Sequence, residues 1–211
     1  LGLLTINLMG SPGSGKTALL EATARVLGGR LRLGAVSGDL ATDHDARRLA
    51  GAGIMSRSIT TGTACHLNAG LVHRALHEFE PSPMDVFFIE NVGNLVCPAV
   101  YDLGQSANVV ALSVTEGEDK PLKYPVMFRR ADLVLITKTD LLPHLPQVRI
   151  QALREALDRT MPKPHYLEMS ATTGQGVEDW LHWLEDHRNA ELEKREASPS
   201  GGLDGDHAHA P

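Results

Sequence analysis

A glycine-rich segment, GSPGSGKT at residues 10–17, limits the possible folds of this chain more than any other part of the sequence. It has the spacing G-x-x-x-x-G-K-T between an apolar run and an amphipathic one, which is typical of a phosphate-binding loop between a strand and a helix. Because glycine backbone can wrap around phosphate oxygens, we expect Gly10, Gly13, Ser14 and Gly15 to contact a nucleotide. The alternative is a glycine-rich turn without a ligand. It would require the motif to occur between an apolar and an amphipathic run by chance.

Lys16 and Thr17 end this segment and predict magnesium-dependent phosphate chemistry. Lys16 is expected to bind the β- and γ-phosphates, and the Thr17 hydroxyl to bind Mg²⁺. Glu90, at the end of the run VFFIE, and Asp39, after the second predicted strand, are the candidate acidic magnesium ligands. The predicted catalytic set is therefore Lys16, Asp39 and Glu90, and Gly93 would let a loop N–H approach the γ-phosphate. For Asp39, a helix cap or a solvated charge stays open as the alternative.

Short apolar runs alternate with longer amphipathic ones, which predicts an α/β fold of the P-loop NTPase type, with a mostly parallel sheet flanked by helices. Strands are predicted at residues 3–9, 31–36, 54–59, 86–90, 109–114, 133–137 and 165–169, and helices at 16–27, 67–79, 147–160 and 177–196. One domain then covers residues 1–196. Residues 197–211 are poor in apolar side chains, so a disordered tail is expected there.

Composition limits the classes of function. A chain of 211 residues is long enough for one sizeable α/β domain. The net charge of −6 argues against sequence-blind binding to nucleic acid or to an anionic membrane. No apolar run approaches the roughly 20 residues that span a bilayer. With only two cysteines there is no secreted disulfide framework, so we expect a reducing, cytoplasmic location.

The segment TKTD, residues 137–140, follows an apolar strand and predicts recognition of guanine. The Asp140 carboxylate would accept hydrogen bonds from the ring N–H and amine of guanine, which adenine does not offer in that arrangement. The stem of Lys138 can cover the base. Ser170 and Ala171 end the next predicted strand, where a backbone N–H could bind the guanine carbonyl. The sequence therefore favours GTP and GDP over adenine nucleotides.

Cys65, His66 and Cys97 are candidate ligands for a transition metal. Two thiols and an imidazole suit Zn²⁺ or Ni²⁺ better than Mg²⁺ or Ca²⁺. Two buried cysteines and a surface histidine are the alternative, which spacing alone does not exclude. Seven other histidines show no ligand spacing with a partner and are interpreted as surface or core residues: His44, His73, His77, His144, His165, His182 and His187. His207 and His209, in the predicted tail, are interpreted as incidental, and a degenerate metal-binding tail stays open as the alternative.

Two long segments resemble signature blocks of the hydrogenase nickel-incorporation GTPases, the HypB family: ENVGNLVCPA at residues 90–99 and SVTEGEDKPLKYP at 113–125. The segments CHL at 65–67 and GD at 38–39, with Asp45, resemble two further blocks, and the similarity runs in order from residue 3 to 184. The resemblance implies a GTPase of the nucleotide-dimerised, SIMIBI-like class that helps deliver Ni²⁺ to [NiFe] hydrogenase. It also implies that Cys65, His66 and Cys97 bind Ni²⁺ or Zn²⁺ near a homodimer interface. The implied partners are hydrogenase maturation proteins and the hydrogenase large subunit.

The sequence departs from the family pattern at three positions and from the pattern of guanine-specific GTPases at a fourth. Thr63, Ala64 and Asn68 stand where the family commonly has lysine, glycine and aspartate, and Thr137 stands where guanine-specific GTPases usually have asparagine. Two alternatives to hydrogenase maturation stay open: a related GTPase that serves another nickel enzyme such as urease, and a small-molecule kinase. The kinase is disfavoured because no arginine-rich lid segment is visible.

Overall fold

A computed structural model describes residues 3–39, 43–62, 65–79 and 83–197, except for the side chains of Asp39 and Arg195. One sheet of seven strands forms the centre, and every strand pair in it is parallel. The strands are β1 (Leu4–Met9), β2 (Leu33–Asp39), β3 (Met55–Thr60), β4 (Val86–Glu90), β5 (Ala107–Ser113), β6 (Leu133–Thr137) and β7 (Tyr166–Glu168). Their order across the sheet is β3-β2-β4-β1-β5-β6-β7.

Helices connect most of the strands. They are α1 (Lys16–Leu27), α2 (His44–Gly51), α3 (Ala69–His77), α4 (Lys120–Lys123), α5 (Pro125–Arg129), α6 (Ile150–Thr160) and α7 (Val177–Glu196). Short 3₁₀ turns cover Cys97–Ala99, Val114–Glu116 and Thr139–His144. In the described part of the chain, none of the helices has the length and apolarity that crossing a bilayer requires.

The strands carry apolar side chains on both faces, as a parallel sheet covered by helices on both sides requires. On one face, β1 packs against α1 and α7 through residues such as Leu8, Leu20 and Trp180, all fully buried. On the other face, Val110 of β5 and Phe128 of α5 belong to a second cluster. The carboxyl ends of the strands lie at one edge of this sheet, which is where open α/β sheets bind ligands.

The predicted α/β class and parallel sheet are confirmed, and each predicted strand is present within a few residues of its expected bounds. Three helices were not predicted: α2, α4 and α5. All three are short, between four and eight residues, so they show too little periodicity to be recognised. Almost all of the predicted tail, residues 197–211, lies outside the described residues.

Candidate functional site

The phosphate-binding segment connects β1 to α1 through a backbone that needs glycine. Gly10 has φ +148°, and a Cβ atom there would lie 2.4 Å from the carbonyl oxygen of Ala111. Gly15, with φ +93°, directly precedes the first helical residue, Lys16. The segment borders a cavity of about 530 Å³ at the carboxyl edge of the sheet. Of the residues predicted to contact a nucleotide here, Gly13, Gly15, Lys16 and Thr17 line this cavity, whereas Gly10 and Ser14 are not among its lining residues. Their binding of a nucleotide stays a prediction.

Lys16 is buried beside the loop that it ends. Its Nζ donates to the backbone carbonyls of Gly10, at 3.3 Å, and Ser11, at 3.1 Å. Burial lowers the pKa of Lys16, while the nearby carboxylate of Glu90 acts in the opposite direction. The ammonium group is therefore held by carbonyls at the cavity wall, where an anionic ligand would be a stronger partner.

Thr17 and Glu90 meet at the predicted magnesium position. The Thr17 hydroxyl donates to Oε1 of Glu90 at 2.7 Å, and Glu90 is only 2% exposed. Burial raises the pKa of Glu90, opposed by the hydrogen bond from Thr17 and the charge of Lys16. Within the described residues, Oε2 of Glu90 and the hydroxyl of Ser14 are buried without a hydrogen-bond partner. These orphaned oxygens fit a site built for a hydrated cation and phosphate.

The other residues of this cavity were predicted less completely. Asp39 ends β2, but its side chain lies outside the described residues, so its predicted role stays a prediction. Asp45 and Arg48, on α2, line the cavity. Arg48 donates to both carboxylate oxygens of Glu21, at 3.0 and 2.6 Å, and lies 3.5 Å from Asp45. Arg48 was missed because α2 was not predicted; its i,i+3 spacing from Asp45 was the available signal.

The predicted base-recognition segment contacts the phosphate loop directly. Thr137 donates its hydroxyl to the carbonyl of Ser14 at 2.6 Å, and Lys138 donates to the carbonyl of Gly13 at 2.6 Å. Lys138 has φ +61°, the only positive φ among the described non-glycine residues. Lys138 directly follows β6, and its left-handed conformation turns the chain toward Asp140.

Asp140 lies in the 3₁₀ turn Thr139–His144 and is half-buried. The N–H of Thr139 donates to the carbonyl of Met169 at 3.2 Å, which brings this turn beside Ser170 and Ala171. The Ser170 hydroxyl accepts the N–H groups of Thr172 and Thr173 at 3.2 and 3.1 Å. The two predicted base-binding segments are thus adjacent, and Lys138, in the first of them, also lines the phosphate cavity.

Cys65, His66 and Cys97 converge into one cluster, in which their ligand atoms all lie within 4.8 Å of one another. The sulfurs of Cys65 and Cys97 are 2.8 Å apart, and Sγ of Cys65 is 3.8 Å from Nδ1 of His66. Both cysteines are free thiols. The hydrogen bond to Cys97 raises the pKa of the Cys65 thiol, and burial acts in the same direction. Such donors suit a borderline or soft divalent cation.

The convergence of Cys65 and His66 differs from what adjacency alone suggests, since neighbouring side chains point apart in regular backbone. The chain bends at both residues, which brings the two side chains to the same side. The imidazole of His66 also stacks on Tyr101, with ring centroids 3.7 Å apart and planes 5° from parallel. One chain therefore presents three ligands, and the tyrosine orients one of them. Thr63 and Ala64 lie outside the described residues.

Two other histidines also form a pair. His73 and His77 are separated by one turn of α3, and their Nε2 atoms are 3.2 Å apart. The expectation that they have no ligand spacing was wrong, because an i,i+4 separation places side chains on one helix face. Asn68, two residues after His66, caps α3 by accepting the N–H of Leu71 at 2.9 Å.

Comparison with known proteins identifies the family. Residues 4–165 match the family described as CobW/HypB/UreG, nucleotide-binding domain. The chain belongs to this family. Within the CobW/HypB/UreG family, it is 49% identical over 195 residues to the hydrogenase maturation factor HypB of Azotobacter chroococcum mcd 1, covering 92% of this chain and 64% of that protein. It is 50% identical over 148 residues to the hydrogenase/urease maturation factor HypB of Helicobacter hepaticus, covering 68% of this chain and 60% of that protein.

Solved structures agree with this assignment. The crystal structure of HypB from Helicobacter pylori in complex with nickel has a TM-score of 0.85 and 39% identity, covering 90% of this chain and 89% of that one. The predicted membership of the HypB family is thereby confirmed, together with the P-loop fold. The chain spans 64% of the length of its Azotobacter relative.

Proposed function

We propose that this chain is the GTPase module of a HypB-type hydrogenase maturation factor, in which GTP binding and hydrolysis control a nickel site. One observation carries the proposal: the loop after β4 runs from the phosphate cavity to the cysteine cluster. Gly93 on this loop lies so close to the phosphate segment that a Cβ atom there would be 2.8 Å from the backbone nitrogen of Pro12. Cys97 follows on the same loop. A ligand in the cavity therefore acts on a segment that carries a metal ligand.

The phosphate chemistry rests on side chains already at the cavity. Lys16 binds the β- and γ-phosphates in place of the loop carbonyls that it now contacts. Thr17, Glu90 and Asp39 would hold Mg²⁺, which supplies charge neutralisation between the phosphates. Gly93 brings a backbone N–H to the γ-phosphate. Because Arg48 is paired with Glu21 and Asp45, no free arginine faces the cavity among the described lining residues, and unassisted hydrolysis should be slow.

Base selection is assigned to Asp140, with Ser170 and Ala171 on the neighbouring segment. An adenine nucleotide would leave the Asp140 carboxylate without its donors, which costs about 1–3 kcal/mol for a buried group. Thr137 replaces the asparagine usual at this position and still binds the phosphate loop through Ser14. The connection between base site and phosphate site is therefore retained.

Nickel is the proposed cargo of the cysteine cluster. Its three donors leave at least one coordination position for a fourth ligand, which a second copy of this chain could supply. Four soft donors in a tetrahedron favour Zn²⁺, whereas Ni²⁺ also accepts a square-planar thiolate site. Release of the metal on hydrolysis would hand it to hydrogenase maturation partners and the hydrogenase large subunit.

A second candidate is the same activity in the service of urease. It is favoured by the names of two Helicobacter relatives, each a hydrogenase/urease maturation factor. The two candidates share the nucleotide and metal chemistry and differ in the acceptor protein. Nickel transfer from the loaded protein to immature hydrogenase or to immature urease would separate them.

Hydrolysis and base preference test the proposal. The wild-type protein should hydrolyse GTP in preference to ATP, and Lys16→Ala should lower the rate by about 10²-fold or more, because it removes the cation at the developing phosphate charge. Lys163→Ala, which removes an exposed lysine elsewhere, is the matched control and should leave the rate unchanged. Phosphate release measured for both nucleotides decides the matter. Equal rates with ATP and GTP, or a fully active Lys16→Ala, would contradict the proposal.

A further inference from the structure

The cysteine cluster is built from two separate loops, one with Cys65 and His66 and the other, after β4, with Cys97. Two asparagines at the start of the second loop, Asn91 and Asn94, hydrogen-bond through their side chains to the first loop. We propose that Asn91 and Asn94 are positioning residues that couple phosphate occupancy to the geometry of the whole cluster. The inference rests on the proposed function and deepens it. It differs from a mechanism in which Cys97 alone moves, because it assigns the movement of Cys65 and His66 to named hydrogen bonds.

Asn91 connects the loop that carries Cys65 and His66 to the end of β4. It is 1% exposed and directly follows Glu90. Its Oδ1 accepts the backbone N–H of Leu67, at 3.3 Å, and of Val92, at 3.0 Å. Leu67 directly follows the metal ligand His66. The buried side-chain amide of Asn91 therefore connects Glu90, the proposed magnesium ligand, to the loop that carries Cys65 and His66.

The orientation of this amide is fixed. Both N–H partners are backbone donors, so the oxygen must face them and Nδ2 must donate elsewhere. Nδ2 donates to Oδ1 of Asn7 at 3.1 Å, and the amide of Asn7 donates to Oδ1 of Asn108 at 3.0 Å. Asn7 is fully buried in β1. A flip of Asn91 would place like groups against each other, so the bond to Leu67 has one stable arrangement.

The packing of Leu67 fixes its position, so that its hydrogen bond to Asn91 can position the neighbouring metal ligands. Its side chain is fully buried and packs against β2, where a Cβ atom on Gly38 would lie 3.0 Å from its Cγ. Gly38 itself lines the phosphate cavity. The loop that carries Cys65 and His66 is therefore held between β2 and Asn91. A displacement at either contact moves both metal ligands.

Asn94 connects the two loops to each other. Its backbone forms an antiparallel bridge with Gly10, the first glycine of the phosphate segment. Its side chain donates to the carbonyl of Cys65 at 3.4 Å and accepts the N–H of Val96 at 2.8 Å. One residue thus touches the phosphate segment, the Cys65 loop and the residue before Cys97. A phosphate that displaces Gly93 or Gly10 acts through it on both sulfurs.

The test is a nickel titration of the full chain bound to GDP and to a non-hydrolysable GTP analogue. The ratio of the two affinities should be about 5–150 in the wild type, typical of allosteric coupling. In Asn94→Ala and in Asn91→Ala the ratio should fall severalfold toward one, because one connection to the Cys65 loop is lost while the three ligands and the loop from Gly93 to Cys97 remain. The nickel–thiolate absorption band should differ less between the two nucleotide states in both variants than in the wild type.

Asn108→Ala is the matched control. It breaks the same chain of buried amides at the end away from the metal loops and should keep the wild-type ratio. Thermal unfolding checks that each variant is folded, and the half-buried Asn94 decides the test if Asn91→Ala does not fold. A ratio of one in the wild type overturns the proposed function. A wild-type ratio kept in the asparagine variants, or lost in Asn108→Ala as well, overturns the role of the asparagines alone.

Discussion

At the scale of single residues, Thr137 and Lys138 connect the predicted base-recognition segment to the phosphate segment. Both side chains donate to carbonyls of the phosphate segment at 2.6 Å, and Lys138 does so from a left-handed conformation. A glycine-rich loop has little intrinsic rigidity, so these bonds restrict it before a ligand arrives. Threonine at this position therefore contacts the phosphate segment through its hydroxyl. Base specificity is proposed to rest on Asp140.

Asp140→Asn should change the preferred base from guanine to xanthine. The carboxylate matches the two donors of guanine, whereas an asparagine amide presents a donor that suits the extra carbonyl of xanthine. GTP affinity should fall by about 10- to 100-fold, the consequence of one unpaired polar group at about 1–3 kcal/mol. Competition between GDP and xanthosine diphosphate measures it. Asp179→Asn, on the exposed face of α7, is the control, and an unchanged preference in Asp140→Asn would assign the base to another residue.

Some residues of the site could be predicted from sequence and others could not. Lys16, Thr17 and Glu90 meet because a motif and strand ends fix their positions, and they were predicted; their roles remain predictions. Arg48 was missed because a short helix carries it. The meeting of Cys65 with His66 depends on a local bend, which spacing does not encode.

At the scale of elements, Asp85 joins two layers of the fold at the start of β4. Its carboxylate accepts Nε of Arg32 at 2.9 Å and Nη2 of Arg188, on α7, at 3.0 Å. The guanidinium of Arg32 holds the pKa of Asp85 well below its ordinary value of 3.8, although partial burial acts in the opposite direction. The ion pairs connect the residue before β2 and the last helix, α7, to the start of β4.

Asp85→Asn should destabilise the protein by about 1–3 kcal/mol at neutral pH, because charge-assisted hydrogen bonds are weakened and Arg188 is left poorly paired. A carboxyl whose pKa is lower in the folded state stabilises above its unfolded pKa, and this contribution is lost as the pH falls through the folded value. The difference between wild type and variant should therefore be constant above about pH 5 and shrink below pH 4. Denaturant unfolding at several pH values measures it.

The control for this prediction is Asp119→Asn, whose carboxylate pairs with Lys123 at the surface and whose side chain is 54% exposed. It should change stability little, because solvent screens exposed pairs. A difference for Asp85→Asn that grows toward low pH would contradict the assignment.

Most elements of the fold were predictable because buried parallel strands read as apolar runs. Of the three exceptions, α4 and α5 have proline in their first turn, which is permitted there but interrupts the pattern on which helix prediction depends. These two helices pack against α6 and the turn Cys97–Ala99. Arg130, after α5, donates to the carbonyl of Ala99 at 2.9 Å. Such contacts depend on the tertiary fold and cannot be predicted from local sequence.

At the scale of the whole molecule, exposed apolar side chains mark a surface beside the cysteine cluster. Val96, Val100 and Tyr101 flank Cys97, with exposures of 56%, 49% and 45%. Leu122 and Val126, on the adjoining α4 and α5, are similarly exposed. Such residues commonly become buried in protein interfaces. A second copy seated here would bring its own thiols to the first cluster, in agreement with the proposed homodimer.

Nucleotide should control this dimer. Light scattering should give twice the monomer mass with a GTP analogue and the monomer mass with GDP. Val100→Asp should prevent the change, because a charge cannot be buried unpaired in an interface. Val26→Asp, at a valine of similar exposure on α1, should have no effect. The same mass in every nucleotide state would refute the prediction.

Nucleotide and metal are proposed to share one switch, and reciprocal binding is its sharpest test. Coupling is symmetric, so nickel must change the preference for GTP analogue over GDP by the factor by which the nucleotide changes nickel affinity. Both nucleotide affinities should be measured with and without saturating nickel, in wild type and in Cys97→Ala. The account predicts that nickel changes their ratio by about 5- to 150-fold in the wild type and leaves it unchanged in Cys97→Ala. A wild-type ratio that nickel does not alter would contradict it.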